Sequence, residues 1–209
     1  ENYKANVSFT NAEKAFDEVK RAEKKGYKFV HPFDGAHTIQ GSATLGLEII
    51  KQIKDFKTKI DNVLISVGGG GLISGVGAVL KQHFPKINII GIEPDEAMGI
   101  TDSLKLDRPL EKVHINSIAD SLCAPLHMPY SFSIAKQVIN KMINISDKDM
   151  SNSMKFAFNH LKLFLEPACV AGFAALNQLK HSNIKEQNTL ILLCGSNIDF
   201  QSWNSIIND

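Results

Sequence analysis

The chain has 209 residues, 44% of them hydrophobic, 22% charged and 8% aromatic, which is enough apolar side chain for a sizeable core and excludes a disordered polypeptide. Twenty-three Lys and Arg against 22 Asp and Glu leave a net charge of +1, without the basic excess of nucleic-acid or membrane-surface proteins, and no apolar run nears the ~18–20 residues of a membrane span. Cys123, Cys169 and Cys194 are odd in number, far apart and without a CxxC pair, which argues against a disulfide framework or a cysteine zinc site and for a reducing cytoplasm.

In chain order, Asn11 reads as the cap of a helix over 12–25 with Ala15, Phe16, Val19 and Ala22 on one face, stopped by Gly26. Tyr27 to His31 reads as a short strand closed by Pro32, and a second helix runs from Thr44 to Phe56. Val63-Leu64-Ile65-Ser66-Val67 is a buried strand ending in Gly68-Gly69-Gly70-Gly71, followed by a helix from Leu72 to His83 and another buried strand over 87–92. The stretch from Met98 to Ile145 is irregular, with Pro109, Pro125 and Pro129, and should hold one or two helices and loops around a site. Ser146 or Asp147 caps a long helix carrying Met150, Met154, Phe158, Leu161 and Leu165, which Pro167 breaks. A small-residue helix over 168–179 and a last strand over 189–193 complete the pattern. Apolar, β-branched strands alternating with helices predict one α/β domain over 1–209, with an open, mostly parallel sheet between two helical layers.

The glycine loop is the strongest chemical signal. Four consecutive glycines cost backbone entropy and supply no side chain, so a packing purpose is not expected of them. At the start of a helix they would let an anion, a phosphate above all, approach free N–H groups. A Walker loop is excluded because Gly70-x4-Gly75 is followed by Val76 and not Lys. The dinucleotide pattern Gly-x-Gly-x-x-Gly also fails, although Glu93 stands at the end of the next strand where a ribose-binding carboxylate would. A nicotinamide-dependent oxidoreductase therefore stays as a rival, and pyridoxal phosphate is the remaining common guest.

Ser66-Val-Gly-Gly-Gly-Gly-Leu-Ile-Ser-Gly75 resembles the phosphate loop of the tryptophan-synthase-like (fold type II) pyridoxal-phosphate enzymes, in particular the threonine/serine dehydratases and serine racemase. His31-Pro-Phe-Asp34, the segment 41–48, Ile118-Ala-Asp-Ser-Leu122 with Pro129-Tyr-Ser-Phe132, Glu166-Pro-Ala168 and Cys194-Gly-Ser-Asn-Ile-Asp199 are similar to further family segments in the same order. The resemblance runs from Ala12 to Asp199. It implies that the backbone of Gly68, Gly69, Gly70, Gly71 and Leu72 holds the cofactor phosphate, that Cys194 faces the pyridine nitrogen and that Glu166 lies near the cofactor. Where relatives bind a divalent cation, Glu93 and the Ala97 carbonyl match but Gly99 replaces an acid, so no metal site is expected. His31, His37, His83, His114, His127, His160 and His181 show no ligand spacing and read as structural or surface residues.

No lysine stands in the family's Ser-x-Lys-x-Arg-type context, so no catalytic residue is assigned within this chain. The chain resembles the C-terminal part of the family's large cofactor domain, without the N-terminal part that carries the Schiff-base lysine, and alone it should be inactive. For the intact enzyme the resemblance implies a cytoplasmic homodimer converting L-threonine or L-serine to a 2-oxo acid and ammonia. An amino-acid racemase of the same family and a non-catalytic phosphate-binding remnant are the further alternatives.

Overall fold

A computed structural model describes residues 12–179 and 187–208. The chain divides into two units, one up to His31 and one from Pro32 onward.

The first unit holds helix α1 (Ala12–Lys24). The Asn11 cap lies outside the described residues. The strand expected over Tyr27–His31 does not form: these residues are irregular, Tyr27 and Val30 are exposed, and no strand among the described residues offers them a ladder. His31 instead lies among rings, its centroid 5.6 Å from Phe16 and 5.3 Å from Phe29.

The second unit contains a parallel sheet in the order β3-β2-β1-β4, built from β1 (Asn62–Ser66), β2 (Asn88–Pro94), β3 (Lys141–Ile145) and β4 (Thr189–Ile191). Its helices are α2 (Ala36–Asp55), α3 (Gly71–His83), α4 (Gly99–Leu106), α5 (Pro129–Val138), α6 (Asp147–Phe156), α7 (Pro167–Leu179) and α8 (Phe200–Asn208). Alternation along the strands sorts the core into two layers. Val63, Ile65, Val67 and Ile89 face α2, α3 and α5. Leu64, Ile90, Ile92, Ile143 and Ile145 face α6, α7 and Trp203 of α8. The expected three-layer arrangement is what forms.

Several boundaries differ from expectation. Helix α2 begins at Ala36, eight residues before Thr44, because tight packing on α3 overrides the poor helix propensity of Gly41 and Ser42. A Cβ at Gly75 would stand 2.5 Å from the Ile39 carbonyl oxygen, and one at Gly46 would stand 3.2 Å from that of Val76, so small residues let the two helices approach. The helix read through Leu165 stops early: α6 ends at Phe156, a π-helical turn spans Ala157–Leu161, and Lys162 turns left-handed at φ 58°. Met150 and Met154 are buried as expected, but Phe158 and Leu161 are exposed. Strand β3 and helix α8 were not anticipated, and β4 stops at Ile191.

The topology fixes where a ligand would sit. From β1 the chain moves outward to β2 and β3, crossing by α3 and α5 on one face. It then returns by α6 and α7 on the other face to place β4 on the far side of β1. The direction reverses between β1 and β4, the position at which open parallel sheets bind ligands beyond the carboxyl ends of their strands.

Candidate functional site

The glycine loop leaves β1 at that reversal. Val67 still donates its N–H to the Ile92 carbonyl (2.8 Å), and Gly70 then turns left-handed at φ 88° to cap α3. Among the described residues no backbone carbonyl takes the N–H groups of Gly68 to Leu72, which leaves the first donors of α3 free for an anion. The glycines also have packing reasons, which corrects the expectation that they serve none. A Cβ at Gly69 would fall 2.1 Å from Cγ of Phe33, and one at Gly71 would fall 2.7 Å from the Phe33 carbonyl oxygen. A Cβ at Gly68 would stand 3.0 Å from the Ser121 carbonyl oxygen. Only at Gly70 does a Cβ meet nothing closer than the Ile100 side chain at 3.3 Å, and there the positive φ favours glycine. Leu72 is half-buried and packs into the α2–α3 side of the core.

On the other side of the reversal stands the exit from β4. Glu166, just before α7, accepts the Asn197 N–H at 2.9 Å with Oε2 and the Ser121 hydroxyl at 3.2 Å with Oε1. Its N–H donates to the Gly195 carbonyl (3.4 Å), and Gly195 leaves no room for a Cβ, which would stand 2.5 Å from Glu166 Oε1. Glu166 thus ties the turn after Cys194 to the loop that backs Gly68. Ser66 at the end of β1 joins the same region, its hydroxyl donating to the Ala168 carbonyl at 2.8 Å. Cys194 is exposed, yet the protein atoms around its thiol push its pKa up and the Glu166 carboxylate adds to the effect. The thiol is neutral at pH 7. Cys169, buried beside it in α7, is pushed up to about 12 by burial first and then by Cys194 and Glu166.

The residues expected at the cation and ribose positions are engaged otherwise. Glu93 is buried at the end of β2 and serves as an acceptor for the start of α4: Oε1 takes the Ile100 N–H (2.7 Å), and Oε2 takes the Thr101 N–H (2.9 Å) and hydroxyl (2.7 Å). Burial raises its pKa to about 7 against those hydrogen bonds. Both oxygens are spent on the helix, which removes the ribose reading. His127, read as a surface or packed histidine, is buried against Gly99, where a Cβ would lie 2.1 Å from Nε2. Burial lowers its pKa to about 4, and its Nδ1 has no partner among the described residues.

The structure therefore gathers Gly68, Ser121, Glu166 and the 194–197 turn at one end of the sheet. Sequence reasoning gave Phe33, Asp34, Ser121 and Ser131 no role in it, although His31-Pro-Phe-Asp34, Ile118-Ala-Asp-Ser-Leu122 and Pro129-Tyr-Ser-Phe132 carried the signal for them.

A family model described as "Pyridoxal-phosphate dependent enzyme" matches residues 1–195. The chain is 37% identical over 190 residues to phenylserine dehydratase of Ralstonia pickettii, covering 90% of this chain and 57% of that protein. It is 32% identical over 199 residues to L-threonine ammonia-lyase of Thermotoga maritima, covering 92% and 48% respectively. Its fold is similar to that of the processed form of threonine deaminase isoform 2 from Solanum lycopersicum, with a TM-score of 0.83 at 31% identity, covering 91% of this chain and 55% of that one. The chain spans about half the length of the curated relatives it matches. Among the described residues no helix is long and apolar enough to cross a membrane.

Proposed function

Because the chain belongs to the pyridoxal-phosphate dependent enzyme family, we propose that it is the phosphate-holding part of a lyase that removes water and then ammonia from L-threonine and L-serine. The observation that carries this reading is the pairing, across the β1–β4 reversal, of an unclaimed set of loop N–H groups with a neutral thiol. The N–H groups of Gly68, Gly69, Gly70, Gly71 and Leu72 suit a phosphate monoester at the start of α3. Cys194 would face the pyridine nitrogen, held there by the Glu166 contacts to Gly195 and Asn197.

The bound cofactor supplies an electron sink for the pair released at the substrate Cα. A neutral thiol beside the ring nitrogen does not protonate it as a carboxylic partner would, which keeps that sink moderate. A moderate sink suits expulsion of the β-hydroxyl over transamination. The names of the relatives, phenylserine dehydratase and L-threonine ammonia-lyase, agree with a 3-hydroxy amino acid as substrate. In this reading the 209 residues belong to the larger cofactor domain of a cytoplasmic homodimer. The lysine that takes the Cα proton lies outside them, so the isolated chain is inactive.

The test is made on the full-length protein: visible absorbance of the bound cofactor, and a coupled assay for 2-oxobutyrate from L-threonine and pyruvate from L-serine. Keto acid from either amino acid supports the lyase. Racemised serine without keto acid would replace it with a racemase.

A further inference from the structure

The phosphate loop is held from behind by a residue far from it in sequence. The Ser131 side chain is buried at the start of α5, where its hydroxyl points at two carbonyls, those of Gly69 (3.4 Å) and Met128 (3.3 Å). The Ser131 carbonyl accepts the hydroxyl of Ser74, buried in the first turns of α3, at 2.8 Å. Ser131 therefore touches both ends of the loop's turn into its helix. Its own position is set by Asp34, whose Oδ1 accepts the Ser131 N–H at 2.7 Å. That is a charge-assisted bond to one of the orphan donors of α5, whose first residue, Pro129, has no N–H. The neighbouring Phe33 lays its ring on Gly69 and its backbone on Gly71.

We propose that Asp34 is a positioning residue for the phosphate loop, acting through Ser131 to aim the Gly70 N–H. This rests on the phosphate-loop reading above. A trans peptide points its N–H opposite to its carbonyl. Holding the Gly69 carbonyl on the Ser131 side therefore turns the Gly70 N–H away from Ser131, toward the open side of the loop. Loss of Asp34 frees the start of α5, and with it the Gly69–Gly70 peptide. The consequence is specific to the phosphate end of the ligand.

The experiment reconstitutes the full-length, cofactor-free protein with pyridoxal phosphate and, separately, with pyridoxal, which has no phosphate for the loop. Asp34→Ala should weaken pyridoxal phosphate about tenfold, the scale of one charge-assisted hydrogen bond, with pyridoxal unchanged. The phosphorus resonance of the bound phosphate should shift. Asp34→Asn, which keeps an acceptor for the Ser131 N–H, should restore most of the affinity. Ser131→Ala keeps that N–H and removes only the hydroxyl, and should reproduce part of the loss. It decides the matter if Asp34→Ala does not fold. Equal losses for the two ligands, or wild-type phosphate affinity and resonance in Ser131→Ala, would overturn the proposal. A wild-type protein that binds neither ligand would instead remove the phosphate-loop reading itself, and this inference with it.

Discussion

The phenyl ring of Phe33 lies across Gly69 so closely that a Cβ there would stand 2.1 Å from Cγ and 2.3 Å from Cδ2. Gly69→Ala should therefore destabilise the fold directly, on the order of 1–3 kcal/mol as an overpacking change, whatever it does to a ligand. Chemical denaturation of the full-length protein measures this. Combining it with Phe33→Ala should recover most of the penalty of the first substitution, because the clashing ring is gone. Strictly additive losses would show that the two side-chain positions do not meet.

Glu93 and His127 should pull stability in opposite directions with pH. Burial raises Glu93 from 4.5 to about 7, so the folded state keeps a proton that the unfolded chain has lost. Its contribution is complete below pH 4.5 and disappears as pH rises to about 7. Burial lowers His127 from 6.5 to about 4, so its contribution is complete above pH 6.5 and disappears as pH falls to about 4. Each is worth on the order of 3 kcal/mol across its window, and between pH 4.5 and 6.5 they offset one another. Relative to wild type, His127→Phe should make stability fall with rising pH over that interval, and Glu93→Gln should make it rise. Urea midpoints at several pH values read the slopes; matching slopes in the two variants would contradict the assignment.

Glu166→Gln should make Cys194 more acidic. The carboxylate raises the Cys194 pKa, second to burial, and removing its charge leaves the burial effect alone. In the cofactor-free protein, the pH at which iodoacetamide alkylation of Cys194 reaches half its maximal rate should move down. Peptide mass spectrometry separates this thiol from Cys123 and Cys169. An unchanged or upward-moving profile would mean that the charge does not act on Cys194.

Divalent cations should not matter. Both Glu93 oxygens are spent on α4, Gly99 brings no carboxylate and the His127 ring occupies the space beside it. Exhaustive chelation should leave the thermal midpoint unmoved, and added Mg²⁺ or Ca²⁺ should not raise it. A saturable cation-dependent rise would locate ligands elsewhere.

Much of the sheet was legible because β1 and β2 are central and buried on both faces, with the apolar runs Val63–Ile65 and Ile89–Ile92 at their middles. β3 lies at an edge, where Lys141 can be exposed and Asn144 half-buried, and so its pattern imitates a loop. The early start of α2 was hidden by residues chosen for contact with α3, since propensity records nothing of a helix that arrives from elsewhere in the chain. The same limit applies at the site. The glycine loop announces itself locally, whereas Phe33 on Gly69 and Ser131 behind it are contacts between distant segments. Glu93 misled for a related reason, because a carboxylate at a strand end looks alike whether it awaits a ribose or holds the next helix.

The arrangement of the strands also orders the assembly of the site in time. β1 meets β2 with Asn62 against Asn88, a short separation bridged by α3. It meets β4 with Asn62 against Thr189, whose side chains join across 127 positions. Closing the longer loop is entropically dearer and slower. The glycine turn can thus be seated against Phe33 while β4, which leads on to Cys194, is still undocked. On a ribosome, the glycine-loop half of the candidate site would exist before its thiol half had been synthesised.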